Sequence, residues 1–206
     1  EQRSASCLNC HQGGDRMQWQ MSAHATRDVS CASCHQVHTQ HDKVRDKVTQ
    51  TDTCFDCHKE QRAQVNRPSH HPIVEGKMSC SSCHNVHGGN PKQLVRDSVT
   101  ETCFTCHMEK RGPFVHSHPP VQEDCAICHQ PHGTTIANLL KARPPFLCQE
   151  CHSVDSHPAQ AGQLPTGRTT NTSLLGSVAR GCLNCHTNIH GSNSTQNSAT
   201  AGRFRR

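Results

Sequence analysis

The sequence predicts a chain of mostly irregular coil with short α-helices and little or no β-sheet, drawn out as an elongated tandem array. Three observations predict it. Leu, Ile, Val and Phe together make up 31 of 206 residues, about 15%, below the roughly 20% needed to bury enough side-chain surface to offset conformational entropy. Pro and Gly break most linkers, as at Arg111-Gly112-Pro113 and Arg143-Pro144-Pro145, leaving room for helices of one to three turns. One short motif, Cys-x-x-Cys-His, recurs eight times and consumes all 16 cysteines.

In chain order the motifs are Cys7, Cys10 and His11; Cys31, Cys34 and His35; Cys54, Cys57 and His58; Cys80, Cys83 and His84; Cys103, Cys106 and His107; Cys125, Cys128 and His129; Cys148, Cys151 and His152; and Cys182, Cys185 and His186. This pattern is the attachment site of a c-type haem: two thiols add to the porphyrin vinyl groups and the adjacent imidazole binds iron. Zinc sites use paired Cys-x-x-Cys units with no fixed His after the second Cys. A disulfide framework explains an even cysteine count but not the histidines. Thioredoxin-like redox motifs sit beside a βαβ pattern, which is absent here.

Eight covalently attached haem c groups would supply the missing apolar mass, with about 26 residues wrapped around each. The chain without haem is therefore expected to be unfolded. Each haem brings two propionates and one ferric-porphyrin charge, so the formal +5 becomes about −3 oxidised and about −11 reduced. Lys and Arg then read as propionate partners, and no basic run with interleaved aromatics points to nucleic acid. No segment has the apolar length of a lipid-spanning helix, and the mean hydropathy of −0.76 excludes a membrane barrel. Haem attachment to this motif occurs outside the cytoplasm, so the protein is expected to be exported with a signal peptide absent from this chain.

Repeats set the organisation. First cysteines from the second motif onward fall at 31, 54, 80, 103, 125, 148 and 182, mostly 22–26 residues apart. A longer period of two motifs lies over this one. Cys31 to His38 matches Cys80 to His87 and Cys125 to His132, while Thr53 to Glu60 matches Thr102 to Glu109. The expected architecture is a single elongated octahaem domain over 1–193, with haem-pair repeats near 24–78, 71–124 and 118–160. A polar basic tail follows over 194–206, and the stretch 153–181 reads as an irregular loop.

Eight of the 19 histidines are proximal ligands, leaving eleven for the far side of the irons. One set trails a motif: His38, His87, His132 and His190. Such a side chain cannot reach the opposite face of its own porphyrin and should bind a neighbouring haem. The other set precedes a motif: His24, His71, His118 and His157, the last three each followed by Pro. His41, His70 and His116 are left as surface residues, His70 being the nearest rival because it adjoins His71. Met17, Met21, Met78 and Met108 hold no fixed offset from the motifs. Bis-histidine iron has no open coordination position for a substrate.

The Cys-His-x-[Val/Pro]-His units, the segment Ser69-His70-His71-Pro72-Ile73-Val74-Glu75-Gly76-Lys77-Met78 and the segment Lys110-Arg111-Gly112-Pro113-Phe114 carry a resemblance. So does the ending Arg180-Gly181-Cys182-Leu183-Asn184-Cys185-His186 with Ile189-His190-Gly191-Ser192-Asn193. Over about 31–193 the chain resembles the MtrA/DmsE family of periplasmic multihaem cytochromes. With eight haems rather than ten, it is most similar to the octahaem subunits of porin–cytochrome conduits. The resemblance implies electron transfer from periplasmic donor cytochromes, through an outer-membrane β-barrel porin, to an extracellular multihaem cytochrome. It implies a periplasmic location at the outer membrane, inside the porin. Many saturated redox centres in a chain with no substrate domain suit a wire rather than an enzyme. A soluble periplasmic carrier and a subunit of an extracellular cytochrome filament are the alternatives. Octahaem reductases resemble longer chains with an open iron or an altered motif, and none of the eight motifs here is altered.

Overall fold

The computed structural model describes residues 2–152, 182–184, 186–195 and 204. Among them are six short α-helices, four to seven residues long: α1 (Gln2–Leu8), α2 (Gln50–Phe55), α3 (Lys59–Val65), α4 (Val99–Phe104), α5 (Pro119–Glu123) and α6 (Phe146–Gln149). Three-residue 3₁₀ turns, bends and coil make up most of the rest. Helix starts follow local chemistry. The Ser98 hydroxyl accepts the Glu101 amide at 3.0 Å to open α4, and Pro119 sits in the first turn of α5, where a missing N–H costs nothing. The only paired strands described are two residues each, β1 (His116–Ser117) and β2 (Gly191–Ser192), antiparallel with His116 opposite Ser192. The coil-rich, nearly sheet-free reading of the sequence holds.

Two compact units divide the chain. The first comprises residues 1–105 with Gln130–Leu139 and carries α1 to α4; the second comprises Cys106–His129 with 140–206 and carries α5, α6, β1 and β2. Among the described residues the buried apolar side chains are Trp19, Val65 and Phe104. Nine buried Ser, Thr and Gln residues outnumber them, while Met17, Val115 and Phe146 are each more than two-thirds exposed. A side-chain core this small agrees with the composition: about 25 cal/mol for each Å² of apolar surface leaves three residues far short of what a domain needs. No helix among the described residues is long and apolar enough to cross a membrane. The loop expected over 153–181, His157 and Cys185 lie outside the described residues.

Candidate haem-binding sites

Each motif is one turn of helix closed on itself. The proximal His amide donates to the carbonyl of the first Cys at 2.8–3.0 Å for His11, His35, His58, His84, His129, His152 and His186. Two forms alternate strictly along the chain. Cys7, Cys54, Cys103 and Cys148 lie in α1, α2, α4 and α6, whereas Cys31, Cys80, Cys125 and Cys182 each open a 3₁₀ turn. The 3₁₀ form is capped by a short polar residue. Ser33 and Ser82 Oγ accept the Ser30 and Ser79 amides, and Asp124 accepts the Ala126 amide at 2.8 Å. The two-motif period of the sequence is thus a period of backbone form. None of the fifteen described cysteines is in a disulfide.

The imidazoles meet in twos. In the first unit His35 faces His87 with ring centroids 6.1 Å apart and planes 12° apart, and His84 faces His132 at 6.1 Å and 20°. His58 faces His24 at 6.0 Å, edge-on at 81°. In the second unit His129 faces His190 at 6.1 Å and 15°, and His152 faces His118 at 6.0 Å and 25°. An imidazole nitrogen lies about 2 Å from a bound metal, so two rings on opposite sides of one ion have centroids about 6 Å apart. Each of the five pairs joins one motif histidine to one histidine outside a motif's Cys-x-x-Cys-His. Among the described residues no group of three or more His, Cys, Asp or Glu side chains is placed to share an ion. Two axial imidazoles suit an iron whose in-plane donors come from a porphyrin, not a tetrahedral zinc.

A clasp, repeated three times, holds a histidine that precedes a motif. His24 Nδ1–H donates to the Val86 carbonyl at 3.2 Å, His71 Nδ1–H to the Pro131 carbonyl at 2.8 Å, and His118 bonds the Ile189 backbone. Val86, Pro131 and Ile189 immediately precede His87, His132 and His190. A ring whose Nδ1 is committed in this way presents Nε2 to a metal in a fixed orientation. Glycine follows three of the four trailing histidines, His87, His132 and His190. Gly88 has φ +121° and rests on the Gln18 carbonyl, where a Cβ would come within 2.6 Å; Gly133, at φ +149°, lies closer still to the Gln64 carbonyl. Gln18 and Gln64 are followed by the buried Trp19 and Val65, and the Trp19 ring lies 6.1 Å from His87. Burial holds His87, His118, His132 and His190 below the ordinary imidazole value, keeping them neutral, the form that binds metal.

The remaining histidines are placed as follows. His38 is exposed, adopts φ +57°, and has no ring contact among the described residues, and neither does His11. His38 thus differs from His87, His132 and His190, each of which faces a motif histidine. The successor of His38 is Thr39, and the clasp glycine is missing. His107 approaches Glu109 at 3.7 Å, with both side chains more than half exposed. Of the three expected spares, His41 is exposed, His116 Nε2–H donates to the Ser194 carbonyl at 3.1 Å, and His70 is bound at both nitrogens, to Arg67 and to Glu75. In the tail Phe204 packs edge-on to His118 at 5.7 Å, and its carbonyl accepts the Asn188 amide.

Sulfur atoms of consecutive motifs are neighbours. In the first unit Cys34 adjoins Cys57, and Cys54 shares a hydrogen bond with Cys80. In the second, Cys128 adjoins Cys151 and Cys148 adjoins Cys182. The contacts alternate between second and first cysteines in both units. The bond to Cys80 and burial push the Cys54 thiol up, and burial with Cys182 nearby pushes Cys148 up to about 11. The bond that raises Cys54 draws its partner, the Cys80 thiol, down to about 7. With facing imidazoles and two sulfurs on the same helical turn, the residues present fit haem c.

The doubled CXXCH motif family matches residues 24–63, 70–112 and 118–157. This chain belongs to that family of multihaem c-type cytochromes. Each matched segment starts at or beside a histidine that makes the clasp (His24, His71, His118) and spans two motifs. The cytochrome is 45% identical over 195 residues to the multihaem cytochrome MtrA of Shewanella baltica, an alignment covering 94% of this chain and 59% of that protein. It is 32% identical over 80 residues to the cytochrome c-type protein NrfB of Escherichia coli, covering 36% of this chain and 42% of that one. The chain thus spans about three-fifths of the length of its MtrA relative.

Proposed function

We propose that this cytochrome is an octahaem electron-transfer protein rather than an enzyme. In this reading it conducts electrons from periplasmic donors, through an outer-membrane porin that surrounds it, to an extracellular cytochrome. The five facing imidazole pairs carry the reading. His35 with His87, His58 with His24, His84 with His132, His129 with His190 and His152 with His118 are its axial ligand pairs. His11, His107 and His186 are proximal ligands, and His71, which makes the same clasp, is a distal one together with His38 and His157. Each motif's two cysteines hold the porphyrin by thioether bonds. The group so held supplies a reversible one-electron change at iron. With haem held there, the paired imidazoles would leave no open position for a substrate, and the neighbouring cysteines would hold consecutive groups close enough to favour electron exchange between them. The porin and the extracellular acceptor rest on the MtrA/DmsE resemblance, which the 45% identity to MtrA supports.

The test is purification of the native protein from membranes. Recovery with a β-barrel and eight haem equivalents per chain by mass is the expected result. Recovery free of any barrel, or with a persistent high-spin ferric haem that turns over a small molecule, would defeat the conduit.

A further inference from the structure

The ring of His35 is held by a half-enclosed carboxylate at short range, whereas His107 Nδ1 lies 3.7 Å from the exposed Glu109 carboxylate. Asp42 Oδ2 accepts the His35 Nδ1–H at 2.7 Å. Asp42 Oδ1 accepts the backbone amides of Gln36 at 3.3 Å and Val44 at 3.4 Å, so the turn after the motif fixes the carboxylate. The Asp42 side chain is 10% exposed, which limits screening of its charge by water. At the next motif of the same backbone form, His84 Nδ1–H donates instead to the neutral Gln93 carbonyl at 3.2 Å. The same kind of turn therefore presents a charge in one place and a dipole in the other.

We propose that Asp42 tunes the haem held by His35 and His87, lowering its reduction potential through the His35 ring. The inference rests on the reading that these two imidazoles bind one iron. A hydrogen bond to a carboxylate is shorter and roughly twice as strong as one to a neutral acceptor. It draws the Nδ1 proton outward and leaves more electron density on Nε2, which raises ligand basicity. A stronger donor, with a negative charge close by, favours Fe(III) over Fe(II). The reaction affected is one-electron exchange with a neighbouring haem, one iron being oxidised as the other is reduced. The fold thereby sets one low-potential step near the start of the array, where His84 sets none of this kind.

The experiment is Asp42→Asn in the full-length holoprotein, followed by haem count, spin state and spectroelectrochemical titration. The expected result is unchanged haem content and low-spin spectra, with one haem's oxidised-to-reduced ratio at fixed potential shifted about tenfold toward reduced, 59 mV for a one-electron couple. Asp42→Glu should keep most of the lower potential. Midpoints unmoved in Asp42→Asn, or loss of a haem or of its low-spin state, would overturn the proposal in favour of a silent or merely structural Asp42. His87→Ala separates the underlying reading: with no high-spin haem in that variant, the ligand assignment itself fails, whatever Asp42→Asn does.

Discussion

The imidazoles of His35 and His87 face each other at 6.1 Å with their planes 12° apart, although one lies inside its motif and the other trails the motif two further on. One such contact ties together segments that share no helix or strand. Replacement of His87 by Ala should convert one haem equivalent to the high-spin form. The same change at His41, exposed and outside the ligand set, should leave every haem low-spin. Electron paramagnetic resonance of the ferric protein separates these outcomes. A high-spin signal from His41→Ala would overturn the division of the histidines into ligands and spares.

The clasp glycines should be as sensitive as the ligands they follow. At Gly88 and Gly133 the backbone sits in the left-handed half of conformational space, against the carbonyls of Gln18 and Gln64. A methyl group there meets both backbone strain and a collision with an atom that cannot swing away. Gly88→Ala or Gly133→Ala should each cost about 1–3 kcal/mol of stability. Displacement of His87 or His132 should accompany the loss, so thermal melts followed in the haem visible band should show low-spin character falling earlier than in the parent. A change confined to far-ultraviolet dichroism would detach the glycines from ligand placement.

Much of this was legible in the sequence, for identifiable reasons. The motif histidines are set by their covalent neighbours, and coil follows from a lack of apolar residues, so neither needs tertiary knowledge. The choice of partners was not legible. His24 reaches His58, and His87 reaches His35, only because the clasp brings Gln18-Trp19 to Val86-His87-Gly88, and no local periodicity encodes that meeting. A weak signal was present nonetheless. His87, His132 and His190 are each followed by Gly and each face a motif histidine, whereas His38 is followed by Thr39 and faces none among the described residues. Asp42 left no repeat signature, because its counterpart beside His84 is the backbone of Gln93, and a carbonyl is present at every position.

Stability should depend on the haems almost entirely. Trp19, Val65 and Phe104 are the buried apolar residues among those described, and fully burying such side chains contributes about 1.5–3 kcal/mol each. That is small against the backbone entropy of ordering the chain, about 1–2 kcal/mol per residue. Cys→Ala changes in several motifs, or expression without the haem-attachment machinery, should give a polypeptide with no cooperative melt and little dispersion of amide resonances. A sharp transition in the haem-free chain would mean that side-chain packing suffices.

The membrane step makes its own demand. Coil and single turns leave many backbone amides and carbonyls without helix or ladder partners, and hydrocarbon gives such groups no substitute for water. No described helix is long and apolar enough to cross a bilayer by itself. If this cytochrome carries electrons across the outer membrane, a closed barrel with a polar lumen must therefore surround the part that crosses. Deletion of the barrel partner should abolish reduction of an acceptor too large to enter the periplasm, while periplasmic reduction of the cytochrome by its donors continues. Proteoliposomes containing cytochrome and barrel should oxidise an enclosed donor when an external acceptor is added, and those with either protein alone should not. Undiminished reduction of the large acceptor in the barrel deletion would instead place the cytochrome among soluble carriers or filament subunits.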